Sequence, residues 1–190
     1  MQPPNPYAPP VAQDENTGAT AGSEHEAIRR AHLSSETNIK SIGSLAILGG
    51  ILQLLAAIGL MANEPVEGAI RLAAVVALGI SGYLLRDLKP AGRMIYTVML
   101  VLGLLSTLVT AATASAAQMA PVAVVSLIVG GLFLWVLWNA KAKVVFSEHY
   151  REVVIRATPY VKYKTSKVAI AVLIVLLIVF VAAVVAALIG

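Results

Sequence analysis

Residues 94–140, M-I-Y-T-V-M-L-V-L-G-L-L-S-T-L-V-T-A-A-T-A-S-A-A-Q-M-A-P-V-A-V-V-S-L-I-V-G-G-L-F-L-W-V-L-W-N-A, contain no formally charged side chain. A single α-helix of that length would extend about 70 Å at 1.5 Å per residue, more than twice the roughly 30 Å of bilayer hydrocarbon. The stretch therefore reads as two membrane spans, 94–117 and 122–138. The break is expected at Gln118-Met119-Ala120-Pro121, because Pro is tolerated in the first turn of a helix.

The flanking sequence continues the pattern. Hydrophobic residues make up 58% of the 190-residue chain and charged residues 13%, whereas soluble domains run near 45–50% and about 25%. Lys40 and Glu64 bound an uncharged run of 23 residues, which predicts a span at 42–62 closed by Asn63-Glu64-Pro65. Only 14 residues separate Arg71 from Arg86, which predicts a short span at 69–85 with both guanidinium groups snorkelling to the interfaces. Residues 168–189 are apolar all round and predict a fifth span. The expected fold class is all-α: a polytopic helical membrane bundle of five transmembrane helices with one interfacial helix.

The basic residues orient it. With five spans, 13 of the 14 Lys and Arg residues fall on one side, in the N-terminal segment, the 86–93 turn and the 139–167 segment, and only Arg71 falls on the other. The positive-inside rule then predicts a cytoplasmic N-terminus, an external C-terminus and a place in the inner (plasma) membrane. The first ten residues hold five prolines and no basic or apolar signal-peptide region, so the first span is expected to direct its own insertion. Residues 1–22 read as a disordered, Pro-rich tail. Residues 23–41 read as a cytoplasmic helix leading to span one, with Ser23 as N-cap and Glu26 completing a capping box.

The cytoplasmic segment 139–167 is the most structured polar stretch. Ser147 is a suitable N-cap, Glu148 suits the first turn, and Pro159 disfavours helix at Thr158, so a helix is expected to end near Ala157. Tyr150, Val153, Val154 and Ala157 share one face at helical spacing. Beyond Pro159, Tyr160, Lys162 and Lys164 alternate with Val161 and Tyr163. Seven basic residues against Glu148 and Glu152 leave a net charge of +5. Anionic lipid headgroups are the expected partner, with a docking surface for another membrane protein, or for a second copy, as the alternative. The contact residues would be Arg151, Arg156, Tyr160, Lys162, Tyr163 and Lys164. No nucleic-acid partner is expected.

This stretch carries a resemblance. V-F-S-E-H-Y-R-E-V-V-I-R-A-T-P-Y-V-K-Y-K-T-S, residues 145–166, resembles a segment of an uncharacterised family of small multi-pass bacterial membrane proteins. That family also tends to carry an S-I-G-x-L-x-x-L-G-G stretch in its first span, here Ser41 to Gly50, and an L-K-P-x-x-R turn, here Leu88 to Arg93. The resemblance covers roughly residues 30–170 and implies topology, not an activity.

Reactive constellations are missing from the sequence. There is no cysteine, which excludes disulfides and thiolate chemistry. No nucleophile elbow, phosphate loop or dinucleotide fingerprint occurs, and His25, His32 and His149 lack ligand spacing. No cofactor, metal site or catalytic residue is expected. The predicted spans hold no Asp, Glu, Lys or His, and Arg71 sits near an end of span two. Their polar side chains include Gln53, Ser81, Ser106, Thr107, Thr110 and Thr113. Thr107, Thr110 and Thr113 serve either helix packing or a hydrated pathway along span three. Small residues four apart, Ala46 with Gly50 and Ser126 with Gly130, and the Gly79, Ser81, Gly82 cluster suit close helix contacts. The expectation is a non-catalytic accessory, scaffold or lipid-interacting component; the alternative is a small channel or solute transporter.

Overall fold

A computed structural model describes residues 15–113, 116–163, 166, 170–172 and 174–175. Every regular element among them is helical. The first helix, α1, runs unbroken over Glu15–Asn63, 49 residues or about 74 Å. Ser23 therefore lies inside a helix and is not an N-cap, and residues 15–22, expected in the tail, belong to α1. The reason is local: residues 11–64 contain no proline, and the Glu26–Arg30 and Glu36–Lys40 pairs at i,i+4 support the helix across the predicted junction. The tail expectation for residues 1–14 falls outside the described residues.

α1 turns sharply into α2, Pro65–Arg86, through Glu64 alone. Pro65 occupies the first helical position, where its missing N–H is harmless. α2 closes with a Schellman motif: Lys89 N–H donates to the Leu84 carbonyl at 2.9 Å and Leu88 N–H to the Leu85 carbonyl at 3.0 Å. Leu88 takes the left-handed conformation this requires, φ 57°, although it is not glycine. Its side chain is 1% exposed, so burial offsets the backbone strain. Pro90 then opens α3, Pro90–Thr113.

α4 spans Ala116–Trp138. Gln118 to Pro121, the expected break, lie within this helix, and residues 114–115 between α3 and α4 lie outside the described residues. Pro121 sits within α4, where its missing N–H forfeits a backbone bond without ending the helix. Among the described residues, three helices are long and apolar enough to cross a membrane: Gly22–Asn63 within α1, α2 and α3. The apolar stretch Val122–Trp138 of α4 is shorter. Their outer faces expose large apolar side chains in series, among them Leu52, Leu55, Val66, Ile70, Val109 and Ile128, each more than 60% exposed. Water would make such a surface unstable; lipid would not.

α1 and α2 pack backbone to backbone. A Cβ on Gly43 would lie 2.6 Å from the Gly82 carbonyl oxygen, and one on Gly82 would lie 2.6 Å from the Gly43 carbonyl oxygen. Only glycine fits at this crossing. Ala46, Gly50, Ser81 and Gly82, singled out from the sequence, are buried inside the chain.

The core is concentrated at the basic end of the bundle. Ile39 and Ile42 of α1, Leu85 and Leu88 at the end of α2, Tyr96 of α3, and Phe133, Val136 and Leu137 of α4 form one cluster. The chain leaving α4 completes it. Asn139 caps α5, Ala140–Val145, by accepting from the Ala142 N–H at 2.8 Å. Ala142, Val145, Phe146, Tyr150 and Val154 then fold onto the α1 side of the cluster.

Ser147 does cap a second helix, its hydroxyl accepting from the Tyr150 N–H at 3.2 Å. That helix carries a π turn over Tyr150–Val154 and ends with α6, Ile155–Ala157. Thr158, before Pro159, leaves at φ −129°. The π turn changes the buried face. Tyr150, Val154 and Thr158 are buried, while Val153 and Ala157, expected to share a face with Tyr150 and Val154, are exposed. A wider turn of more than four residues brings every fourth position to one side. The predicted fifth span, 168–189, lies almost wholly outside the described residues.

Candidate functional site

Glu36 is fully buried and takes part in four side-chain hydrogen bonds. It lies on α1 with Arg29, Leu33 and Lys40 at i, i+4, i+7 and i+11 spacing, a single helix face directed at the segment after α4. Each carboxylate oxygen receives two donors. Oε2 accepts from Arg29 Nε at 3.4 Å and from the Tyr150 hydroxyl at 3.1 Å. Oε1 accepts from Lys40 Nζ at 3.0 Å and from the Tyr163 hydroxyl at 2.9 Å. Burial pushes this carboxyl upward, but Lys40, Arg29 and Tyr163 outweigh it and hold it below the ordinary carboxylate value. It is a charged acceptor with its lone pairs occupied, which suits an anchor and not a proton-transfer base.

Arg29 is the second anchor, 2% exposed. Its guanidinium donates to the Thr158 carbonyl, to the Thr158 hydroxyl at 3.3 Å and to the Tyr163 hydroxyl at 3.4 Å. A cation thus sits at the C-terminal end of the α6 turn, where free carbonyls favour one. Outside this core, the Tyr160 hydroxyl donates to Glu26 at 2.9 Å and the Ser166 hydroxyl to the Asn38 side chain at 2.8 Å. The hydrogen bond from Tyr160, with Arg30 second, lowers the Glu26 carboxyl. Residues 140–163 therefore form a cap clamped along the polar third of α1.

The six contact residues read from the sequence divide by this geometry. Tyr160 and Tyr163 expose about half of their surface yet spend their hydroxyls on α1 carboxylates. Arg156 and Lys162 point outward, Arg156 pairing with Glu152 at 2.6 Å on the surface. Arg151 is half-buried, with its Nε enclosed and unbonded. Lys164 lies outside the described residues. The central pair, Glu36 and Arg29, went unselected in the sequence. The available signal was a charged stripe at the spacing of a buried helix face.

Two further features border the cap. Arg93 lies 4.3 Å over the Trp138 ring and 5.2 Å from Phe146, while Trp138 Nε1 donates to the Thr97 hydroxyl at 3.0 Å. This ties the start of α3 to the end of α4. Thr37, Lys40, Ser41, Ser44, Leu45, Arg86 and Tyr163 line an open groove of about 410 Å³ beside Glu36.

The span-three hydroxyls do not converge. Thr107, Thr110 and Thr113 each donate back to their own helix, to Gly103, Ser106 and Val109 at 2.9, 3.0 and 3.1 Å. Of the histidines, His25 and His149 stand 6.2 Å apart ring to ring, and His32 packs edgewise on Tyr150 at 6.1 Å. Burial pushes the His32 imidazole below its ordinary value, with Lys141 adding to the effect. Among the described residues, no three His, Cys, Asp or Glu side chains gather around a common point. Comparison with protein-family models, with curated proteins and with solved structures finds no match for this chain.

Proposed function

We propose that this chain is a non-catalytic integral membrane protein that acts by contact, presenting a rigid basic cap to the anionic lipid surface at its cytoplasmic face. In this reading it crosses a bacterial inner membrane five times, N-terminus inside and C-terminus outside, with α1–α4 as the first four spans. One observation carries the reading. The cap's tyrosines turn inward to bind Glu36 and Glu26, while Lys141, Lys143, Arg156 and Lys162 face outward at the basic end of the apolar helices. Fixed cations of this kind gain roughly 1 kcal/mol each near an anionic surface. The likeness of residues 145–166 to a family of small multi-pass bacterial membrane proteins is in keeping with this topology.

The test is amide exchange of residues 140–163 in bilayer discs. Discs with anionic lipid should slow exchange relative to purely zwitterionic discs, and high salt should remove the difference. Replacing Lys141, Lys143, Arg156 and Lys162 together by Gln should also remove it. Equal exchange in the two bilayers would refute the reading.

A further inference from the structure

Within that reading, and resting on it, we infer that the groove between α1, α2 and Tyr163 is a binding site for a single phospholipid with an anionic headgroup. The site is built in two parts along one face of α1. Its polar mouth holds Lys40, Arg86, Ser41, Ser44 and Tyr163. Lys40 is fixed there, its ammonium 4.6 Å over the Tyr163 ring and bonded to Glu36 and the Tyr163 hydroxyl. Arg86 ends α2, is exposed, and has no hydrogen-bond or ion-pair partner among the described residues. The Ser41 hydroxyl is likewise unpartnered among them, whereas Ser44 donates to the Lys40 carbonyl at 3.1 Å. Arg29 and Lys40 share the single carboxylate of Glu36 and Arg86 is unpaired in the same groove as Lys40, so the cluster retains positive charge. An anion with several oxygens complements it.

Below the mouth the same helix face becomes apolar. Ser41, Leu45, Leu48 and Leu52 follow at i, i+4, i+7 and i+11. Leu48 and Leu52 are 52% and 63% exposed. From Ser41 to Leu52 the helix rises about 16 Å, close to the roughly 15 Å of one leaflet's hydrocarbon. A free phosphate would use only the mouth. A lipid uses both, its headgroup between Lys40 and Arg86 and an acyl chain along the leucine stripe.

The experiment is native mass spectrometry of the full chain in mild detergent. Phosphatidylglycerol and phosphatidylcholine of identical acyl chains are added in equal amounts. One phosphatidylglycerol should be retained in preference to phosphatidylcholine. Arg86→Gln should reduce that retention about tenfold, the loss of one charge-assisted contact. Because Arg86 is exposed and unpaired, an unchanged circular dichroism spectrum and melting point should accompany this loss. The four-fold Gln variant of the cap's outer cations should keep the bound lipid, which separates failure of this site from failure of the surface reading. Equal retention of both lipids, or retention unaffected by Arg86→Gln, overturns the inference. Displacement of the lipid by millimolar inorganic phosphate also overturns it, since the leucine stripe would then contribute nothing.

Discussion

Replacing Glu36 by Gln should undock the cap while leaving the apolar helices intact. Gln keeps the side chain's size and one acceptor oxygen, so one pair of donors retains a partner. Its amide nitrogen, however, meets two donors where Oε1 or Oε2 accepted them. The Arg29 guanidinium, with 3% of its side chain exposed, then lacks a counter-ion. Removing one member of a buried ion pair typically destabilises by 3–5 kcal/mol, and retention of shape places Gln near the lower end, about 3 kcal/mol. At 1.4 kcal/mol per factor of ten, the undocked population should rise about a hundredfold. Amide exchange of residues 148–163 reads this opening directly, because a segment that opens locally exchanges in proportion to its open population. Residues of α2 and α3 serve as the internal reference and should not change. A second variant, Arg29→Met with Glu36→Gln, removes the orphaned cation and should recover at least half of the lost protection. Unchanged cap exchange in Glu36→Gln would refute the reasoning. So would a double variant whose loss is simply the sum of the two singles, since the pair would then not be coupled.

Three further outcomes follow from the same structure. Gly43→Ala or Gly82→Ala places a Cβ 2.6 Å from the opposing carbonyl oxygen; overpacking should destabilise the α1–α2 pair by about 1–3 kcal/mol, seen as a lower melting temperature in detergent, whereas Gly59→Ala, with open space around its Cβ, should not. Arg93→Ala removes the guanidinium from Trp138 and should lower stability by about 1–2 kcal/mol while shifting the tryptophan emission, and Arg93→Lys should restore only part of it. Cap docking should also weaken in acid. His32 is held below its ordinary value near 6.5, so its stabilising contribution is full above that pH and declines as pH falls below it. Glu36 is also held low, so its contribution survives to more acidic pH and is lost as pH falls through its depressed value. His32→Phe should erase the first decline, measured by cap exchange between pH 7 and 5, and leave the second, which falls below pH 4.5.

The helical class was legible in residues 94–140 and in the apolar runs at 42–62 and 69–85, because backbone groups in hydrocarbon have few ways to be satisfied and helices are the simplest. Local chemistry also marked several boundaries: Asn63-Glu64-Pro65 ends α1, Ser147 caps the helix that carries the π turn, and Pro159 terminates it. These depend on one or two neighbouring residues, so the sequence alone determined them. The tertiary structure decided where the polar residues meet. Glu36 and Tyr150 stand 114 positions apart and Arg29 and Thr158 129 apart, separations at which no periodicity links one segment to another. It also decided the face of the cap, because the π turn over Tyr150–Val154 displaces the pattern that spacing implied. Leu88 makes the same point in miniature: its left-handed backbone is tolerated only because neighbours from several helices bury the side chain. The sequence identified which segments seek lipid. The fold determined which of its charges are spent inside and which remain exposed.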